Sequence, residues 1–128
     1  TQYLLAVDRN NPRVANLYSA FHPAVLNALY QVVLQAQEQK KPVSICGEMA
    51  GDPGAAVLLL AMGFDTLSMN ASALLKVKSV IRSVSLDAAK DLLDQVMQME
   101  DAQTIRNAVD LTLYNAGVDR LLRSSRTN

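Results

Sequence analysis

Two short β-rich runs joined through a single apolar helix limit what this chain can fold into. The first run, Val43-Ser44-Ile45-Cys46, stands between Pro42 and Gly47, the composition and flanking breakers of a strand. Gly47-Glu48-Met49-Ala50-Gly51 follows as a loop, and Asp52-Pro53 supplies a helix N-cap with proline at the first helical position. Residues 54–62 are apolar nearly all round, which predicts a buried helix, with Gly63 as its cap. A second strand is expected over 66–69. Strand, loop, helix and strand within 27 residues form a βαβ unit, which implies parallel pairing through a right-handed crossover.

The rest of the chain reads as helical. A helical pattern over 1–7 gives way to the polar run Asp8-Arg9-Asn10-Asn11. Asn11-Pro12 predicts a short helix to residue 18. Pro23 opens a longer one, with Val25, Leu26, Leu29, Val32, Val33 and Ala36 on one face and Pro42 as its stop. Further helices are expected over 71–82, 86–99 (capped by Ser85) and 102–115, where Gly117 is the stop, and a short turn over 118–123 leads into a polar tail. Two strands among this many helices do not make a self-sufficient sheet, because apolar parallel strands expect neighbours and helix cover on both faces. The order fits the last units of a (β/α)8 barrel, which takes about 250 residues. The expected fold class is therefore α/β, with residues 1–128 forming the C-terminal portion of a TIM barrel. A start at Thr1, without methionine and inside a helical pattern, is consistent with a fragment of a larger protein.

Composition narrows the partners. Half of the residues are hydrophobic and 19% are charged, an ordinary globular balance. Twelve basic and twelve acidic side chains cancel, which gives no electrostatic reason to expect nucleic acid or an anionic membrane. The longest apolar run, Ala55 to Met62, has eight residues, against the roughly 20 of a membrane span. The lone Cys46 cannot form an internal disulfide, and a cytoplasmic setting is expected.

In a parallel barrel the chemistry lies at the C-terminal ends of the strands. Cys46 occupies that end of the first strand. A lone cysteine is ordinarily a small buried hydrophobe; at a barrel mouth its thiol can instead act as nucleophile or acid. The only histidine, His22, lies on another element, and a thiol without a basic partner suits a proton donor better than a thiolate. The glycines at 47, 51 and 54 match no nucleotide-binding fingerprint, although Gly51-Asp52-Pro53 leads into a helix N-terminus, where free amides favour anions. Glu48 reads equally well as a partner of Cys46 and as a solvated loop residue. Ser68 and Asn70 are candidates to support the site from the second strand. Lys76, Lys78 and Arg82, and the terminal Arg120, Arg123 and Arg126, read as solvated.

The string Cys46-Gly47-Glu48-Met49-Ala50-Gly51-Asp52 closely resembles the cysteine motif of the phosphoenolpyruvate-utilising enzymes, in particular enzyme I of the phosphotransferase system. Thr1-Gln2-Tyr3-Leu4-Leu5-Ala6-Val7-Asp8-Arg9 resembles the segment after that family's Asn-Asp metal and phosphate motif. Leu67-Ser68-Met69-Asn70 resembles its last barrel strand. The resemblance covers essentially the whole chain, and the wording of residues 6–11 and 51–53 is similar to the nitrogen-related branch.

The resemblance implies a phosphotransferase that moves the phosphoryl group of phosphoenolpyruvate to a histidine on a separate domain, releasing pyruvate. It makes Cys46 the acid that protonates the enolate and Arg9 a substrate-phosphate ligand. It implies magnesium, whose ligands would lie before Thr1, leaving no metal ligand in this chain. The implied partners are a phosphocarrier protein and a second copy in a homodimer. The fragment alone is expected to be inactive. Alternatives are the barrel of a pyruvate phosphate dikinase or phosphoenolpyruvate synthase, and a non-catalytic dimerisation module built from the helical stretch 86–123.

Overall fold

The computed structural model of the chain describes residues 1–14 and 17–118. It is an α/β, helix-rich arrangement around a single two-stranded parallel sheet. Strands β1 (Ser44–Cys46) and β2 (Thr66–Ser68) pair in the register Ser44 to Thr66, Ile45 to Leu67 and Cys46 to Ser68. Below the pair, the Val43 N–H donates to Asp65 Oδ2 at 2.8 Å and the Asp65 N–H donates to the Val43 carbonyl at 3.0 Å, which sets that register from the N-terminal end.

Helix α3 (Pro53–Met62) connects the strands and forms the centre of the core. Its near-uniform apolarity is explained by its neighbours: α4 (Ala71–Ser83), α5 (Leu86–Val96) and α6 (Ala102–Asn115) all pack on it. Leu58, Leu59 and Val57 are sealed there with Ile105 and Val109 of α6 and Val96 of α5. Gly54 lets α6 approach, since a Cβ at that position would stand 2.7 Å from Val109 Cγ1. Helix α2 (Pro23–Glu38) adds Leu26 and Val33 to the same core, and the single turn α1 (Gln2–Leu5) precedes it.

The sheet departs from the expectation of helix cover on both faces. Side chains alternate along a strand, and here Ile45 and Leu67 pack on the core while Ser44, Cys46, Thr66 and Ser68 form an exposed row of small side chains. One face is partly covered by the core, where Ile45 and Leu67 are half-buried, and the other is open.

Other boundaries shifted for local reasons. The helix expected from Asn11 is a pair of turns over the described residues: Asn11 Oδ1 accepts from Arg13 N–H at 3.0 Å, and the Val14 N–H reaches the Asn11 carbonyl at 3.2 Å. Such side-chain bonds offer the backbone an alternative to a helix. Helix α5 stops at Val96 rather than at 99, because Gln98 and Met99 close three-residue turns onto Gln95 and Val96. The turn expected over 118–123 lies, except for the buried Val118, outside the described residues, as do Arg120, Arg123 and Arg126.

Helix α6 begins at an acidic cap. Asp101 accepts from the Thr104 hydroxyl and from the Thr104 N–H (2.8 Å), and these bonds hold its carboxyl below the usual carboxylate range. A depressed native pKa stabilises the fold above the unfolded value and loses that contribution as pH falls through the native one. Asp101→Ala is therefore expected to lower the urea midpoint at neutral pH, with the deficit shrinking as the carboxyl is protonated; an equal deficit at both pH values would contradict this role.

Candidate functional site

Cys46 ends β1 one residue before Gly47, whose φ of +96° places the backbone where side-chain-bearing residues are rarely found. The turn there redirects the chain out of the sheet. A 3₁₀ turn (Met49–Gly51) follows, with the Gly51 N–H donating to the Glu48 carbonyl at 3.1 Å and the Asp52 N–H to the Met49 carbonyl at 3.2 Å. Across this loop, α4 starts directly after β2 with Asn70 at its N-cap, where the Asn70 side chain makes no capping bond.

Between the two lies an open cleft of about 470 Å³, lined by Cys46, Gly47, Glu48 and Gly51 on one side and by Ser68, Met69, Asn70, Ser72 and Ala73 on the other. Cys46 is a free, exposed thiol. Gly51 lets the walls meet: a Cβ there would stand 3.2 Å from that of Ala73.

The structure thus brings Cys46, Glu48, Ser68 and Asn70 together at one mouth. Arg9 is exposed in the polar turn after α1 and is not among the cleft's lining residues. His22 stays apart from the chemistry: its Nδ1 accepts from the Ala24 N–H at 3.2 Å and caps α2. Reading the sequence missed Ser72 and Ala73, although a helix starting immediately after a strand places its first turn at the strand's C-terminal end.

It also missed Arg106. Asp52 caps α3 through Oδ1, which accepts from Gly54 N–H (2.8 Å) and Ala55 N–H (3.0 Å). Its Oδ2 receives Arg106 Nη1 at 2.9 Å. Arg106 in turn reaches Asp110 through Nε at 3.2 Å and lies over the Phe21 ring at 4.9 Å. Burial works against the guanidinium's charge, but the bond and charge of Asp52, joined by Asp110, outweigh it and raise its pKa. Positions 52 and 106 are too far apart in sequence for any local pattern to signal this pair.

Among the described residues, no group of three or more His, Cys, Asp or Glu is arranged to hold a metal ion, and the cleft lining offers one carboxylate, Glu48. These residues do not fit a magnesium site. Among the described residues, no helix is long and apolar enough to cross a membrane.

An open cleft at the C-terminal ends of parallel strands, with a thiol on its rim, is the setting in which the cysteine motif was expected to work. The chain belongs to the family described as PEP-utilising enzyme, PEP-binding domain, which it matches over residues 1–86. It is 37% identical over 123 residues to the "Phosphoenolpyruvate-dependent phosphotransferase system" protein of Salmonella typhimurium, covering 96% of this chain and 16% of that protein. It is 41% identical over 110 residues to the "Phosphoenolpyruvate-protein phosphotransferase" of Haemophilus influenzae, covering 86% of this chain and 19% of that protein. It is 44% identical over 105 residues to "Multiphosphoryl transfer protein 1" of Escherichia coli, covering 82% of this chain and 13% of that protein. The chain thus spans less than a fifth of the length of these relatives.

Proposed function

We propose that this chain is the C-terminal part of the phosphoenolpyruvate-binding barrel of a phosphoenolpyruvate–protein phosphotransferase, with Cys46 as the acid of the reaction. The observation that carries the reading is the exposed Cys46 thiol at the C-terminal end of β1, on a cleft walled by the loop of the cysteine motif. The open sheet face supports the barrel: Ser44, Cys46, Thr66 and Ser68 form the wall that further strands would enclose, while α3 and its neighbours cover the outside.

In the proposed reaction the phosphorus–oxygen bond of phosphoenolpyruvate breaks as a phosphorus–nitrogen bond forms to a histidine on another domain. The electrons left on the enolate oxygen move to form the ketone, and the methylene carbon takes the proton of the Cys46 thiol, giving pyruvate. Water then reprotonates the thiolate. Cys46 suits the donor role because no histidine or lysine lines its cleft, which leaves no basic side chain there to take its proton and make it a nucleophile. Glu48 and Asn70, on opposite walls, are placed to orient the enolate or a water. Arg9 is the proposed phosphate ligand, completed by residues of the longer protein, which would also supply the magnesium ligands.

The names of the three relatives favour a phosphotransferase over a dikinase or a synthase; assignment to the nitrogen-related branch rests on wording at residues 6–11 and 51–53 alone. The expected partners are a phosphocarrier protein and a second copy, in the cytoplasm. A second reading, a non-catalytic module through which copies associate, is favoured by Leu111 and Tyr114, exposed one turn apart on α6. The deciding experiment supplies the full-length protein with phosphoenolpyruvate and follows pyruvate and phosphohistidine. Stoichiometric appearance of both is expected, while the isolated 128 residues should produce neither. Failure of the full-length protein to release pyruvate would end the phosphotransferase reading and leave the association module standing.

A further inference from the structure

We propose that Arg106, on α6, is a positioning residue for the Cys46 loop and acts on it through Asp52. The inference rests on the reading of Cys46 as the proton donor, and it adds a residue that lies outside the stretch matched by the family.

The loop from 47 to 51 is held at two ends. Upstream, Cys46 is fixed by its strand register with Ser68. Downstream, the loop ends on Asp52, whose two carboxylate oxygens are engaged in different directions: Oδ1 with the first amides of α3, and Oδ2 with Arg106. Between these ends, the 3₁₀ turn links Glu48 to Gly51 and Met49 to Asp52, so that the loop moves as one closed turn on the Gly47 pivot. Gly51 has little room, with Ala73 and Met69 around the position of an added Cβ. A displacement of Asp52 therefore reaches the cleft wall beside the thiol.

Arg106 is built to prevent that displacement. Its fork spans two carboxylates, on α3's cap and on its own helix, and its planar face rests on Phe21. A planar guanidinium with several fixed donors loses little freedom in such a contact and holds direction as well as charge, unlike a lysine ammonium. The segment before α2, the N-cap of α3 and the body of α6 are tied together at this one side chain.

The test compares Arg106→Met and Arg106→Lys in the full-length protein, with Asp52→Asn as a variant that keeps an Oδ1 acceptor for the cap and replaces the Oδ2 acceptor with an amide nitrogen that cannot receive Arg106. In Arg106→Met and Asp52→Asn, kcat for pyruvate formation is expected to fall about ten-fold with KM little changed, since misplacing a reacting group by a fraction of an ångström acts on the transition state. Alkylation of Cys46 by iodoacetamide, followed on its own peptide by mass spectrometry and without substrate, is expected to change by about three-fold, because the exposed thiol then sits against a displaced loop. Arg106→Lys should recover part of both. A lowered urea midpoint with unchanged kcat and an unchanged alkylation rate would make Arg106 merely structural and overturn the proposal. If Cys46→Ala kept full turnover while the alkylation rate still answered to Arg106→Met, the acid would be misassigned and the tie between Arg106 and the loop supported.

Discussion

Replacing Cys46 with alanine in the full-length protein is expected to reduce kcat for pyruvate formation by about 10³-fold, the scale on which a positioned general acid contributes. The physical reason is specific to carbon. Oxygen and nitrogen bases exchange protons with water readily, but a methylene carbon of an enolate needs a donor held within reach and on one face. The thiol at the end of β1 is exposed and opens on the cleft, so the substitution removes a proton without emptying a packed site. Its unfolding free energy should stay within about 0.5 kcal/mol of the parent protein, as for surface changes generally. A stable variant with undiminished turnover would remove Cys46 from the mechanism.

Leu58→Ala is expected to be the opposite case, costing about 3 kcal/mol, because it cuts a cavity among side chains that have little freedom to collapse. Leu58 is fully buried on α3, the helix on which α4, α5 and α6 all pack. For a chain of this size that cost corresponds to a fall of roughly 10 °C in Tm. Leu75→Ala, on the solvent side of α4 with 77% of its surface exposed, should change the unfolding free energy by less than about 0.5 kcal/mol. Equal losses at the two positions would contradict the placement of α3 at the centre.

Much of this arrangement was legible in the residues, where the deciding interactions are local. Asp52-Pro53 and Gly63 marked the ends of α3, and its apolarity on all sides announced burial on all sides. The limits of α6 were read to the residue. What failed was of two kinds. Competition between local bonds decided Asn11, whose side chain turned the chain where a helix was expected.

The second kind was long-range. The alternation Ser44-Ile45-Cys46 and Thr66-Leu67-Ser68 was present in the sequence but was overridden by the general apolarity of parallel strands. Only the sheet shows that both small-side-chain faces lie on the same side. The Asp52–Arg106 pair joins elements that no periodicity connects. At the site, Cys46, Glu48, Ser68 and Asn70 were placed together by the rule that loops after parallel strands share one end. Arg9, on a turn outside the βαβ unit, is the member whose position that rule does not reach.

The central claim is that one thiol delivers the proton to the enolate carbon, and its most direct test is the face on which that carbon is protonated. Phosphoenolpyruvate carrying one deuterium and one tritium in defined positions on its methylene group becomes pyruvate with a methyl group of measurable handedness. Turnover by the full-length protein should give a single handedness, and the residual pyruvate formed by Cys46→Ala should show none, because the released enol meets solvent on both faces. A single handedness retained in Cys46→Ala at undiminished rate would contradict the account.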